Sequence, residues 1–284
     1  MQVLLPRAMW HSMAMSGPAA RFTTEPITPR GVVGFAHASV AWLWLGQLVT
    51  ALLVGLALLW FINSSCVPAV DKAIHNLGST GEILSGELVW PDDTPRVLAE
   101  ERFLGLVIDL NHTGHIHCTS DVQVEFGRDS IRVFCLLGYA DFYYPYNPPN
   151  QTIPVSREAL EPLWGAWLPE IQAVLVALVV SALMLLWNVL AAIYWIPVWI
   201  LGFLTGRELG FFASWRFSGA SMLPCGLLLA LGVFLYDFGV LDLVQISFVI
   251  GTHLLLGWIY LFVGLLFLPS RNTSAARQNP FGQK

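Results

Sequence analysis

Four long apolar stretches dominate the pattern of hydrophobic and polar positions along the chain. No Lys, Arg, Asp or Glu occurs in residues 35–70, 171–206, 217–236 or 243–270. A helix needs about 20 apolar residues to cross the hydrocarbon core of a bilayer, because each residue advances the helix by about 1.5 Å. Each stretch reaches that length, so the pattern predicts an α-helical membrane protein with four transmembrane helices.

The segments between these stretches complete the predicted organisation. A small α+β extracytoplasmic domain with an antiparallel sheet is expected over residues 63–170, inserted between helices 1 and 2. The other predicted segments are a disordered cytoplasmic tail (1–34), transmembrane helices (35–62, 171–204, 217–236 and 243–268), a cytoplasmic loop or interfacial helix (205–216) and a second cytoplasmic tail (269–284). The second helix is longer than one crossing requires, and a break near Pro197 would absorb the surplus.

Composition supports a membrane protein. The chain is 56% hydrophobic and 12% charged, with a mean hydropathy of +0.63. A soluble domain averages about 25% charged residues. The first apolar stretch is expected to be a retained helix, because a cleaved signal peptide has an apolar core of only about 7–15 residues near the N-terminus.

The distribution of basic residues predicts the orientation, since basic loops stay in the cytoplasm. Arg and Lys occur in the first tail, in the loop after the second helix and in the last tail (Arg7, Arg21, Arg30, Arg207, Arg216, Arg271, Arg277 and Lys284). Residues 63–170 are acidic, and the last short turn carries only Asp237 and Asp242. We therefore expect both termini in the cytoplasm and residues 63–170 outside, with a bacterial cell membrane as the setting.

Within residues 63–170 the pattern predicts a helix, several strands and a second helix. The first helix covers "VPAVDKAIHNLG", and "GEILSGELVW" and "RFLGLVIDL" are expected to be strands. "DVQVEF" and "DSIRVFCLL" form a hairpin around "GRD", with Val122, Val124 and Phe126 on one face. Ser156 is a plausible N-cap for the second helix. Trp164 and Trp167 then lie at the outer membrane interface.

The order of these pieces resembles a family of bacterial multi-pass membrane proteins of unknown function, which neighbours the Yip-type proteins of secretory membranes. The matching residues are Ile83, Gly86 and Leu88 in one strand, Ile108, Asp109 and Gly114 further on, and "ASWRFSGASMLP" at the third span. The resemblance covers roughly Val67 to Pro269. It implies the architecture but no activity, and "NHTGHIH" is not part of the family pattern.

The stretch "IDLNHTGHIHCTSD" is the strongest candidate for chemistry. A zinc site needs about four N, S or O ligands, and alternate residues of a strand share a face. His115 and His117 could therefore bind a metal together with His112, and with Cys118 or Cys135. The other interpretation is a solvent-exposed polar loop. It is favoured because the chain has no C-x-x-C motif and because Gly114 indicates a turn.

The cysteines offer an alternative to metal binding. Cys66, Cys118 and Cys135 lie on the oxidising side in the predicted topology, where disulfides persist. A bridge between Cys118 and Cys135 would close the hairpin region and contribute roughly 3 kcal/mol. It would remove Cys118 as a metal ligand.

No sequence motif points to an enzyme. The chain lacks a phosphate-binding glycine loop, G-x-S-x-G and H-E-x-x-H, and no cofactor is expected. Ionisable residues within the spans are almost limited to His253, which argues against active transport by this chain alone. Its acidic exterior excludes nucleic acid as a partner.

Three functions are compatible with this pattern. The first is a non-enzymatic membrane protein, partnered by the lipid bilayer and by other membrane proteins, whose outer domain is a binding or interaction module. The second is an accessory subunit of a membrane transporter. The third is a metal-binding sensor or enzyme that uses the cluster from His112 to Cys118.

Overall fold

A computed structural model describes residues 24–78, 80–148 and 151–271. This part of the chain is mostly helical, with a small region of mainly antiparallel β-sheet between the first two long helices. The helices are α1 (Pro29–His37), α2 (Val40–Phe61), α3 (Val67–His75), α4 (Arg157–Leu204), α5 (Phe211–Ala220), α6 (Met222–Asp237) and α7 (Leu243–Phe267). Much of the two predicted tails, residues 1–23 and 272–284, lies outside the described residues.

Within the described residues, four helical segments are long and apolar enough to cross a membrane, as predicted. They are Val40–His75, Arg157–Leu204, Phe211–Asp237 and Leu243–Phe267. The first combines α2, a π-helical turn (Ile62–Cys66) and α3, and the third combines α5 and α6. These segments fit a multi-pass membrane protein.

The helix bounds differ from the predicted ones in three places. Residues 29–37, within and just after the predicted disordered tail, form α1, because Thr28 accepts a hydrogen bond from the N–H of Gly31 and Pro29 occupies the first turn. The helix predicted to begin after Ser156 and the predicted second span form one continuous helix, α4, which is 48 residues long. There is no break near Pro197, since α4 continues to Leu204. Proline is tolerated in long membrane-type helices when its surroundings compensate for the lost hydrogen bond.

Eight strands form two sheets in the described chain. The strands are β1 (Gly81–Leu84), β2 (Glu87–Val89), β3 (Arg96–Glu100), β4 (Leu104–Ile108), β5 (Val122–Phe126), β6 (Ser130–Cys135), β7 (Gly138–Tyr143) and β8 (Ile153–Val155). One sheet has the order β2-β1-β8 and the other the order β3-β4-β5-β6-β7. The single strand predicted over residues 81–90 is a hairpin instead, because Ser85 and Gly86 both adopt positive φ, 53° and 84°, as a tight hairpin turn requires.

One strand pair departs from the antiparallel pattern that the sequence predicts. Strands β4 and β5 pair in parallel, with Val107 opposite Glu125. Parallel neighbours need a long crossover connection, and residues 109–121 provide it. We call this segment, which contains all the candidate histidines, the crossover loop.

By internal packing the described chain divides into two units. One contains Gln47–Trp187 and Cys225–Leu256, and the other contains the described residues up to Gly46, Asn188–Pro224 and those from Gly257 onward. Within the first unit α2 packs closely on α4, because a Cβ on Gly55 would lie 3.1 Å from Val176. Within the second unit the guanidinium of Arg216 donates two hydrogen bonds to the carbonyl of Ala36, at 3.2 and 2.8 Å, at the end of α1.

The β-rich part of the first unit has its own apolar core. Buried side chains from α3 and from strands β2, β3 and β4 form it, together with Trp90 and Leu110: Ala69, Ala73, Leu88, Leu98, Ala99, Leu106 and Ile108. The two sheets and α3 therefore enclose one apolar interior, which the candidate site below shares.

Candidate functional site

The apolar core of this domain contains a cavity of about 470 Å³. Side chains from α3, from both sheets and from the first turns of α4 line it. The volume lies within the range of small-molecule sites, about 300–1,000 Å³. We refer to it as the apolar cavity.

Helix α4 provides one wall through a regular stripe. Leu160, Leu163, Trp164 and Trp167 line the cavity, and their spacing places them on one face of a helix. The sequence assigns the two tryptophans to the membrane interface, and the structure adds that this same face covers a cavity. The wall is part of a helix that continues into a membrane-length apolar segment.

The opposite wall is the buried interior of the sheets. Leu88 and Leu98 are 3% and 5% exposed, and Leu106 and Ile108 are 6% and 3% exposed, and all four line the cavity. Helix α3 adds Ala73 among its lining residues. Alternation along the strands predicts that these side chains are buried, but not that they leave a space between them.

Two polar groups on the lining residues have protein partners. The hydroxyl of Tyr144 donates to the carbonyl of Gly127 at 3.1 Å. The indole N–H of Trp164 donates to the carboxylate of Asp71 on α3 at 2.8 Å. Burial raises the pKa of Tyr144 above its ordinary value, so its hydroxyl stays neutral. An occupant therefore meets carbon on nearly every side, and a charged group inside would lose its hydration without compensation.

Large side chains that line the cavity and are also exposed mark the entrance. Ile153 is 40% exposed, Leu163 is 51% exposed and Trp167 is 60% exposed, and all three line the cavity. We call these three residues the mouth. It lies between β8 and α4, and exposed apolar groups of this kind are typical of a binding groove.

The crossover loop covers a second, polar cluster on the larger sheet. Nδ1 of His112 lies 2.5 Å from Oε1 of Glu125, which is 2% exposed. Asp109 holds the loop in shape, because its carboxylate accepts from the N–H and the hydroxyl of Thr113, at 2.8 and 2.6 Å. His112 itself has a positive φ of 49°.

Ser130, His112 and Glu125 are arranged in the order of a nucleophile, a general base and an acidic residue. Nε2 of His112 lies 3.5 Å from the hydroxyl of Ser130, and its Nδ1 faces Glu125. Ser130 is only 3% exposed, however, and its hydroxyl donates to Asp129 at 3.2 Å. The Ser130 hydroxyl is therefore shielded from solvent, whereas a nucleophile must be reached by its substrate, and the His112–Glu125 contact joins the crossover loop to the sheet.

The other candidate ligands lie apart from this pair. His115 and His117 are exposed in the crossover loop. Cys118 packs on Gly105, where a Cβ would lie 2.7 Å from its sulfur, and its N–H donates to Gln123 at 2.9 Å. Across residues 24–78, 80–148 and 151–271, no three His, Cys, Asp or Glu side chains form a group that could hold a metal ion. Within the described residues, the predicted ligands His112, His115 and His117 are therefore not part of any such group.

No disulfide joins Cys118 and Cys135 within the described residues, and the bridge stays a prediction. All four cysteines lie in the described residues, and each is a thiol. Burial, with a smaller contribution from Glu100, raises the pKa of the Cys118 thiol, which lowers its reactivity as a thiolate.

Sequence reasoning missed Glu125 as the partner of His112. It placed Val122, Val124 and Phe126 on one face of β5, but these three side chains are half-buried, whereas Gln123 and Glu125 are buried, at 8% and 2% exposure. The reason is that the crossover loop covers the opposite face of the sheet. The signal available was a strand with hydrophilic residues at alternate positions, preceded by a loop rich in histidine.

Comparison with known proteins gives no further assignment. No family model matches the chain, and no curated protein and no solved structure matches it either. The resemblance to the bacterial membrane protein family stays a prediction.

Proposed function

We propose that this chain is a non-enzymatic integral membrane protein whose outer domain, residues 63–170, binds a hydrophobic ligand in the apolar cavity. The observation that carries this proposal is the cavity itself, about 470 Å³ lined by apolar side chains. A void in a protein interior forfeits dispersion contacts along its lining. An apolar occupant restores those contacts without needing a hydrogen-bond partner.

The polar cluster supports binding in preference to catalysis. A hydrolytic role for Ser130 and His112 would need an accessible hydroxyl, and Ser130 is 3% exposed. The metal-binding alternative would require ligands around His112, while His115 and His117 extend toward solvent. The proposed role of residues 109–121 is to cover the sheet that supports the cavity.

The proposed orientation places this domain outside the cell and both termini in the cytoplasm. Its support is the position of basic residues, such as Arg207 and Arg271, in the segments assigned to the inside. Single cysteines in a chain without its native thiols test it. Leu137→Cys, at a site 96% exposed, should react with an impermeant maleimide in intact cells, and Thr205→Cys only after permeabilisation. The reverse pattern would contradict the orientation.

Binding is tested with the full chain in nanodiscs and a small apolar photoreactive probe, a phenyl diazirine. Peptides from β3 and β4 should be labelled in a saturable manner, because these strands line the cavity. Ala73→Phe fills the cavity from α3 and should reduce this labelling at least about tenfold, the equivalent of about 1.4 kcal/mol. Ala166→Phe is the matched control, since Ala166 is exposed on α4 and does not line the cavity. Equal labelling in both variants would contradict the proposal.

An accessory role beside another membrane protein is a second candidate. It is favoured by α4, because only 11% of the most apolar window of this segment is buried within the chain. A helix so exposed faces lipid or a neighbouring protein. Cysteine crosslinking from Leu185 or Ile193, which are 68% and 59% exposed, tests this candidate in native membranes. Crosslinks to a permease would favour the accessory role. The absence of any protein adduct would indicate that α4 contacts lipid.

A further inference from the structure

We propose that the occupant of the apolar cavity is one acyl chain of a phospholipid from the adjoining membrane leaflet, entering tail first through the mouth. This inference rests on the proposed function. It names the ligand class and the direction from which the ligand comes.

The position of the mouth along α4 is the first argument. Trp167 lies three residues before Glu170, the last charged residue ahead of the apolar run that begins at Ile171. At about 1.5 Å per residue, Trp167 is only about 6 Å along the axis from that run. Tryptophan also favours the interfacial region of a bilayer. The mouth is therefore within reach of lipid tails at the membrane surface.

The chemistry of the lining is the second argument. The hydroxyl of Tyr144 and the indole N–H of Trp164 already donate to Gly127 and Asp71. Neither is available to a headgroup inside the cavity. A methylene chain needs no such partner, so the tail fits and the polar part of the lipid stays outside.

The charges around the cavity favour a phospholipid over a free fatty acid. Lys72 on α3 is 2.7 Å from Glu101, and Arg157 at the start of α4 is 3.2 Å from Glu161. The cations at these two places on the helices, Lys72 on α3 and Arg157 on α4, therefore face carboxylates of this chain. A fatty-acid carboxylate held at the mouth would compete with them, whereas a phospholipid headgroup stays in the interface among its neighbours.

The supply of ligand is the third argument. A tail that moves from the bilayer into this cavity exchanges one apolar environment for another, so the intrinsic affinity is modest. The bilayer presents tails at very high local concentration, and occupancy follows from mass action. The tail also covers the exposed apolar surface of Ile153, Leu163 and Trp167, which would otherwise contact water.

The test uses the full chain in phosphatidylcholine nanodiscs doped with a phosphatidylcholine that carries a diazirine near the end of one acyl chain. Photolabelling should reach peptides of β3 and β4, which lie outside the apolar helical segments. Labelled peptides of α6 serve as the internal reference for ordinary lipid contact. Ala73→Phe should reduce labelling of β3 and β4 at least tenfold relative to α6, and Ala166→Phe should leave it unchanged.

A second variant covers the case in which Ala73→Phe does not fold. Leu163→Glu places a charge at the exposed mouth and should reduce tail labelling of β3 and β4 at least about fivefold, because a carboxylate disfavours passage of a methylene chain. Leu137→Glu, at the exposed β6–β7 turn, is the matched control and should behave like the parent chain.

Three parallel labels separate the outcomes. If β3 and β4 are labelled by a diazirine fatty acid but not by the phospholipid, the inference is overturned and the proposed function stands. If only the phenyl diazirine labels β3 and β4, the inference is likewise overturned and the proposed function stands. If none of the three labels these strands, both the inference and the proposed function fail.

Discussion

Nδ1 of His112 lies 2.5 Å from Oε1 of Glu125, a carboxylate that is 2% exposed on strand β5. This pair fastens the crossover loop onto the sheet beneath it. It explains why one histidine of the cluster is partly buried while His115 and His117 remain exposed. The histidine-rich stretch therefore has one structural residue and two surface residues.

Removing His112 should destabilise the domain strongly. In His112→Ala the Glu125 carboxylate keeps, among the described residues, a long contact from the amide of Gln123 at 3.4 Å. A buried carboxylate left without its partner costs about 2–4 kcal/mol. Unfolding of the purified full chain, followed by tryptophan fluorescence in denaturant, measures this loss.

His115→Ala and His117→Ala are the matched controls in the same loop. Both side chains are exposed, so the free energy of unfolding should change by less than about 0.5 kcal/mol. A loss in the controls as large as in His112→Ala would mean that the three histidines act together, as a metal site requires. Elemental analysis of the purified chain would then be the next measurement.

Gly127 should be intolerant of any side chain. A Cβ there would lie 2.2 Å from Nε2 of His112 and 3.0 Å from the carbonyl of Ser130. Gly127→Ala should therefore cost about 1–3 kcal/mol through overpacking. Combining it with His112→Ala should give less than the sum of the two losses, since both changes act on one contact.

Gly165→Ala should instead raise the free energy of unfolding. No neighbour lies within 4 Å of a Cβ placed there, and Gly165 is inside α4. Replacing a helical glycine by alanine stabilises by about 0.5–1 kcal/mol. A gain at Gly127 or a loss at Gly165, in the same unfolding assay, would contradict the packing described here.

The sequence predicts the elements that depend on local patterns. The four apolar segments follow from length and hydropathy, and α4 begins after Ser156, whose hydroxyl accepts from the N–H of Ala159 at 3.4 Å. The hairpin of β5 and β6 follows from alternation around "GRD". These features need only the period of the residues and their capping groups.

The features that sequence reasoning missed depend on long-range contacts. The parallel pairing of β4 and β5 is not visible in either strand, because alternation is the same in both pairings. Burial of Glu125 depends on the path of the crossover loop. The apolar cavity depends on the distance between α4 and the sheets. The sequence would show the same hydrophobic pattern around Leu163 and Leu106 whether these side chains touched or left a space between them.

Tyr236 connects α6 to the crossover loop. Its hydroxyl donates to the carboxylate of Asp121 at 2.5 Å, and its ring packs against Phe61 and Phe103, with centroids 5.5 and 4.8 Å away. Tyr236→Phe keeps the ring and removes the hydrogen bond, so we expect a loss of about 1.5–3 kcal/mol. Tyr143→Phe, at a site 73% exposed, is the control and should change little. Equal effects of the two substitutions on the unfolding midpoint would contradict the role of this contact.

Arg132 and Asp141 make one strand pair sensitive to acid. The guanidinium of Arg132 on β6 donates to both carboxylate oxygens of Asp141 on β7, at 2.6 and 3.1 Å. These hydrogen bonds hold the pKa of Asp141 below its ordinary value of 3.8. Because the pKa is lower in the folded state, the contribution of the pair is present above the ordinary pKa and is lost as pH falls through the lowered one.

Asp141→Asn should therefore lower the unfolding midpoint at about pH 7, and its difference from the parent chain should shrink as the pH falls below about 4. Thermal unfolding of both chains across this range measures the difference. Glu87→Gln is the control, because Glu87 is an exposed carboxylate on strand β2, and its small effect should not follow this profile. A difference between Asp141→Asn and the parent chain that grew on acidification would require a raised pKa, the reverse of what the two hydrogen bonds from Arg132 produce.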